Sequence, residues 1–175
     1  NTDDLENLSI ASRGKIEGVA FKGHRPLEFE ASRFDLLPKL RIISNFGVGY
    51  DGIDIHEATR RGIKITNTPD VLTDATADLT ILLMLMVSRR SKEGEHQINN
   101  NLWPGWSPTH LLGSELTNKT LGIVGLGRIG QAVAKRAFFG FNMKIKFFNR
   151  SKKSINFSFT AEQVDSIYDL CKSSD

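Results

Sequence analysis

Short apolar runs alternate with polar, helix-patterned stretches along most of this chain. KIEGVAF (15–21), LRIISNF (40–46) and IKITN (63–67) carry the β-branched and aromatic residues of buried strands. KGHRP (22–26) after the first reads as a loop, and the second runs into the glycine-containing turn GVGYDG. Asp54 with Glu57 has the spacing of a capping box that opens a short helix, with Gly62 placed to close it. Thr68-Pro69 breaks the third strand. Strands separated by helices predict a parallel, doubly wound sheet.

The period then changes. From about Asp74 to Asn99 the pattern predicts one long helix. Its first half, ATADLTILLMLMVSRR, is apolar nearly all round, as in a helix buried between layers or in a subunit interface, and its second half is polar. NNNLWPGWSP follows as a loop, and a domain boundary is expected near residue 98. The two Trp of that loop are expected to anchor the loop or a partner rather than to contact a ligand. TLGIVG (120–125) is a strand, RIGQAVAKRAFF a helix ended by Gly140, and MKIKFFN (143–149) the next strand, which is the size of one βαβ unit. TAEQ (160–163) and the helix DSIYDLCKSS continue the alternation. The chain begins without Met and stops soon after that helix, so it reads as a fragment.

Composition narrows the function classes. With 39% hydrophobic residues there is material for a sizeable core. The net charge of +3 is small and its basic residues are dispersed without interleaved aromatics, which argues against nucleic acid. The longest apolar run, LTILLMLMV (79–87), is far short of the ~20 residues that span a bilayer, and neither a signal peptide nor a membrane partner is expected. The single cysteine, Cys171, excludes an internal disulfide and favours a reducing, cytoplasmic setting. No Cys/His metal spacing occurs, and His24, His56, His96 and His110 read as surface or satisfied core residues.

GLGRIG supplies Gly125, Gly127 and Gly130 in G-x-G-x-x-G spacing, between a predicted strand and a predicted helix. In that context Gly125 permits the tight turn, Gly127 lets the backbone approach a pyrophosphate, and Gly130 lets helix and strand pack closely. Helix N–H groups would then face the phosphates. An NAD-preferring site places Asp or Glu about 20 residues further on. Here the second strand ends in Asn149, Arg150 and Ser151, followed by Lys152 and Lys153. Arg150 can pair with a 2′-phosphate bidentately and Ser151 can donate its hydroxyl, so NADP(H) is favoured, with NAD(H) possible. The competing reading is a basic surface loop.

Taken in order, NFGVGYDGIDIHEATRRGIKITNTPDVLTDATADL, the tryptophans, and LTNKTLGIVGLGRIGQAVAKR resemble the D-isomer-specific 2-hydroxyacid dehydrogenases, and most of all their NADP-dependent glyoxylate/hydroxypyruvate reductases. The resemblance runs from about Glu17 to the last residue. It implies two doubly wound parallel-sheet domains, flavodoxin-like and Rossmann-like, both incomplete here: residues 1–98 of a substrate-binding domain and 99–175 of a cofactor domain. It also implies a homodimer and a small 2-oxo or 2-hydroxy acid as substrate. By the same resemblance the turn at Gly47, Val48 and Gly49 binds the substrate carboxylate through its amides, Lys22 and Gly23 form a second substrate-facing loop, and Leu126, Gly127, Arg128 and Ile129 form the pyrophosphate turn. Asn149, Arg150 and Ser151 match the 2′-phosphate site. Thr76 falls where the long helix approaches the nicotinamide, or else is simply a residue of a helix N-terminus. Asp51 and Asp54 are explained by turn formation and capping.

Family catalysis uses an Arg and a His held by a carboxylate, and none of the four histidines matches that motif. The resemblance places all three groups beyond residue 175, so this chain alone is expected to be inactive. Two other readings stay open: an NAD-linked relative acting on another acid, such as phosphoglycerate or D-lactate, and a non-catalytic dinucleotide sensor of the corepressor type.

Overall fold

Each run predicted as a strand forms a parallel strand, shorter than the run itself because the run's ends turn toward loops. The computed structural model describes residue 5, residues 7–23 and residues 28–175. Most of the expected KGHRP loop, with His24, lies outside them. After the short α1 (Ile10–Arg13) come β1 (Gly18–Phe21), α2 (Ala31–Asp35), β2 (Ile42–Asn45), α3 (Ile55–Arg60) and β3 (Lys64–Thr66). The three strands pair in the order β1-β2-β3, all parallel, with Val19 opposite Ile43 and Ile43 opposite Ile65. Phe21, Phe29, Phe34 and Ile43 are fully buried at the centre of their core. Phe29 meets Phe21 and Phe34 edge-on, at ring separations of 5.6 and 5.0 Å. Such pairs contribute about 0.5–1.5 kcal/mol each beyond the buried area.

Helix α3 starts where Asp54 caps it, Oδ1 accepting from the Glu57 N–H at 2.9 Å. The reciprocal half of the expected capping box is missing. The Glu57 carboxylate turns to Arg60 and Arg61 instead, and Arg61 also reaches Asp35 at 2.6 Å, tying α3 to α2. Gly62 follows the helix at φ 70°, the left-handed conformation that suits glycine.

The expected long helix is broken in two: α4 (Thr73–Ser88) and α5 (Ser91–Asn99). The break is at Arg90, which sits at φ 52° with its guanidinium on Glu93 and on the Leu112 carbonyl. The returning loop takes over the end of α4, where the Ser114 N–H donates to the Ser88 carbonyl at 2.8 Å. A Cβ on Gly113 would stand 2.2 Å from that same oxygen, so only glycine passes there.

β4 (Thr120–Val124), α6 (Arg128–Phe141), β5 (Lys144–Phe148), β6 (Ala161–Gln163) and α7 (Ile167–Lys172) complete the chain. β4-β5-β6 form a second parallel sheet. α6 does not stop at Gly140. Asn142 takes the left-handed cap at φ 51°, with its amide on Asn118 Oδ1 at 2.7 Å. Ala134 and Ala137 are fully buried, and this small-residue face lets α6 lie close to its neighbours.

Packing divides the chain between Val71 and Leu72, earlier than the change of sequence character near residue 98. The cause is α4. Its Ile81 and Met84 pack into the core beneath α6, and Arg136 of α6 holds Asp74 and Asp78 at 3.0 and 2.6 Å. The opposite side of α4 is apolar and open, with Leu79, Leu82, Leu83 and Val87 more than half exposed.

Candidate functional site

In the second unit, the glycine motif joins β4 to α6. Gly125 has φ 89°, a conformation strained for any other residue. A Cβ on Gly130 would lie 2.4 Å from the Gly125 carbonyl and 3.3 Å from Ile123, so its hydrogen is what lets α6 close on the strand. Nothing stands within 4 Å of a Cβ built on Gly127. No contact among the described residues requires that glycine, and the open space above it is what close backbone approach by a phosphate group needs. Gly127 is the N-cap and caps α6 with no side chain, and the first turn carries no acidic residue. The amides of Gly127, Arg128 and Ile129 are therefore at the open, positive end of a 14-residue helix.

Two amides of the same loop are already committed. The Gly125 N–H donates to the Phe148 carbonyl at 2.9 Å, and the N–H of buried Leu126 donates to Asn149 Oδ1 at 2.8 Å. Asn149 thus binds the end of β5 to the glycine loop. Arg150 beside it is exposed and has no hydrogen bond or ion pair to another described residue. The backbone after it is held from β6: Gln163 donates to the Ser151 carbonyl and accepts from the Lys153 N–H, both at 3.2 Å. Thr76 lies half-buried in the first turns of α4, between the two aspartates that grip Arg136.

In the first unit, the other predicted turn leaves the C-terminal end of β2. Asn45, the last residue of that strand, is 5% exposed and donates through Nδ2 to the Gly47 carbonyl at 3.2 Å and the Gly49 carbonyl at 2.8 Å. The Val48 carbonyl accepts from Asn67 Nδ2 at 2.9 Å. Neither Gly47 nor Gly49 has a positive φ. Lys22, next to the end of β1, holds its ammonium 5.6 Å from the Phe46 ring, and the Phe46 N–H donates to the Phe21 carbonyl at 2.8 Å. Lys22 and the turn are thus neighbours at one end of a parallel sheet, where α/β proteins place ligands. Gly23 is sterically required: a Cβ there would lie 2.5 Å from the Phe21 ring.

His56 and His96 are exposed, and His110 bonds to Gln97 at 2.7 Å. No cluster of His, Cys, Asp or Glu among the described residues could hold a metal. Trp103 and Trp106 are 59% and 84% exposed, so they do not anchor their loop within the described chain. Among the described residues no helix is long and apolar enough to cross a membrane. Sequence reasoning missed Asn45, whose partners lie two and four positions on in its own turn, and Asn67 and Gln163, whose partners lie 10 to 19 positions away across loops that spacing rules do not read.

A parallel α/β unit with a glycine loop opening onto an uncapped helix defines a nucleotide-binding class. Comparison with known proteins makes it specific. The family model described as D-isomer specific 2-hydroxyacid dehydrogenase, NAD binding domain, matches residues 81–175. The chain belongs to the D-isomer specific 2-hydroxyacid dehydrogenase family. It is 49% identical over 146 residues to a glyoxylate reductase from Thermococcus kodakarensis, covering 81% of this chain and 44% of that enzyme. Among solved structures it resembles the NADPH-dependent glyoxylate/hydroxypyruvate reductase of Sinorhizobium meliloti, with a TM-score of 0.84 and 33% identity over 98% of this chain and 52% of that one. The D-lactate dehydrogenase of Aquifex aeolicus, complexed with NAD and lactic acid, superposes with a TM-score of 0.83 at 25% identity, over 97% of this chain and 49% of that one. The chain thus spans about half the length of these relatives. The matched NAD-binding domain indicates a nicotinamide dinucleotide as cofactor.

Proposed function

We propose that the protein carrying this chain is an oxidoreductase that transfers a hydride from NADPH to a small 2-oxo acid, glyoxylate or hydroxypyruvate, giving a D-2-hydroxy acid. The observation that carries the choice of cofactor is the end of β5. An acid there would repel a 2′-phosphate. Asn149 is neutral, its oxygen is turned into the glycine loop by the Leu126 N–H, and the exposed Arg150 follows it. A guanidinium so placed can grip a phosphate bidentately, with the Ser151 hydroxyl as a further donor.

The residues fit a dinucleotide on physical grounds. Gly125 and Gly130 set the loop, Gly127 leaves open space over it, and the amides of Gly127, Arg128 and Ile129 offer donors to a pyrophosphate. The cofactor supplies the hydride. In the first unit, the amides of Val48 and Gly49 receive the substrate carboxylate, and Lys22 with Gly23 borders the same sheet end. Residues 1–98 would then be part of the substrate-binding domain and 99–175 the first part of the cofactor domain, with Thr76 near the nicotinamide. The open apolar side of α4 suits a homodimer contact, and the setting is the cytoplasm.

Turnover of glyoxylate and hydroxypyruvate by the full-length protein, with NADPH and with NADH, tests the proposal. NADPH should be preferred at least tenfold in kcat/KM, about 1.4 kcal/mol. A tenfold preference for NADH would establish an NAD-linked relative instead. Dinucleotide binding without turnover of either acid would favour the sensor.

A further inference from the structure

We infer that Asn45 and Asn67 are positioning residues of the carboxylate-binding turn, an inference that rests on the substrate reading of Val48 and Gly49 given above. In a trans peptide the C=O and the next residue's N–H point in opposite directions. Whatever holds a carbonyl therefore aims the following amide. Three consecutive peptide planes are held this way. The Gly47 carbonyl accepts from Asn45 Nδ2 at 3.2 Å and from the Thr68 N–H at 3.0 Å, which aims the Val48 amide away from both. The Val48 carbonyl accepts from Asn67 Nδ2 at 2.9 Å, which aims the Gly49 amide away from β3. The Gly49 carbonyl returns to Asn45 Nδ2 at 2.8 Å, aiming the Tyr50 amide.

Among the described residues, none of these three amides donates to a backbone or side-chain acceptor. The glycines do not account for this arrangement. Gly47 and Gly49 have no positive φ; a Cβ on Gly47 would meet nothing closer than 3.7 Å, and one on Gly49 would meet the Asp51 side chain at 3.0 Å rather than any backbone atom. Asn45 is the structure's one buried polar side chain among the described residues, and its Nδ2 donates twice to this turn. Burying a carboxamide is unfavourable unless its hydrogen bonds are made, so the turn and the asparagine stabilise each other. Asn67 is exposed and lies 19 positions from Val48, beyond the end of β3. Two strands thereby fix one set of donors before any anion arrives, and a preorganised amide set binds an anion without reordering the loop.

The test uses charge-free variants of the full-length protein, Asn45→Leu and Asn67→Ala, so that no new carboxylate repels the ligand. Two quantities are measured: KM for glyoxylate with saturating NADPH, and the dissociation constant of oxalate, a carboxylate that cannot be reduced, from the NADPH complex. NADPH affinity is titrated separately. Losing the orienting bonds should raise both quantities about tenfold for Asn45→Leu and about threefold for Asn67→Ala, with NADPH affinity within about twofold of wild type. Oxalate and glyoxylate values unchanged in the folded variants would overturn the inference, as would a parallel loss of NADPH affinity. If Asn45→Leu does not fold, the exposed Asn67→Ala decides alone. A wild-type protein that binds oxalate but does not reduce glyoxylate refutes the substrate reading while the oxalate arm still judges the asparagines. A wild-type protein that does not bind oxalate overturns the inference.

Discussion

The two turns that present amides in this chain look alike in sequence, and they are built differently. At Gly125–Gly130 the shape is in the backbone: one glycine stands at φ 89°, and another leaves only 2.4 Å for a would-be Cβ. At Gly47–Gly49 the shape is in the side chains of Asn45 and Asn67, while the glycines keep conformations open to other residues. Gly125 and Gly130 are thus required by the backbone, whereas Gly127 and Gly47 leave room for a Cβ and Gly49 would bring one within 3.0 Å of the Asp51 carboxylate.

Substitution breaks or sharpens that comparison. The largest effect is expected at Gly130→Ala, whose methyl group would strike the Gly125 carbonyl. A loss of about 3 kcal/mol of stability in urea unfolding is expected, with collapse of dinucleotide binding. Gly125→Ala must hold an L-residue at φ 89° and should lose about 1–2 kcal/mol by the same measurement.

The first unit should respond to acid through the helix that follows its turn. Hydrogen bonds from Arg60, then Arg61, lower the Glu57 carboxyl from its ordinary 4.5 to about 2. A depressed carboxyl adds stability above its unfolded pKa and loses it as pH falls through the folded value. That contribution is thus whole above about pH 4.5 and gone below about pH 2. Thermal melts of wild type and Glu57→Gln should converge across this window, and a constant gap would refute the linkage. Smallest of all, Gly47→Ala should change stability by no more than about 0.5 kcal/mol, because its Cβ has ordinary room.

Much of this was legible before the structure. The β-branched runs became β1 to β5, and the spacing of Gly125, Gly127 and Gly130 located the strand-to-helix loop, because both signals are local and periodic. The kink at Arg90 was not legible, since no Pro or Gly marks it and its cause is a loop returning 22 residues later to Leu112. Gly140 suggested a helix end that Asn142 supplies. The asparagine clamp was hidden because Asn67 and Val48 meet only once β2 and β3 have paired. In the sequence Asn149 is a missing charge; its bond to Leu126 adds that it also fixes the loop.

The cofactor assignment depends most directly on Arg150. Calorimetric titration of the full-length protein and its Arg150→Asp variant with NADPH and NADH tests it without any substrate. The account predicts that the variant binds NADPH at least about tenfold more weakly and NADH about as well as wild type. Equal weakening of both dinucleotides would contradict it.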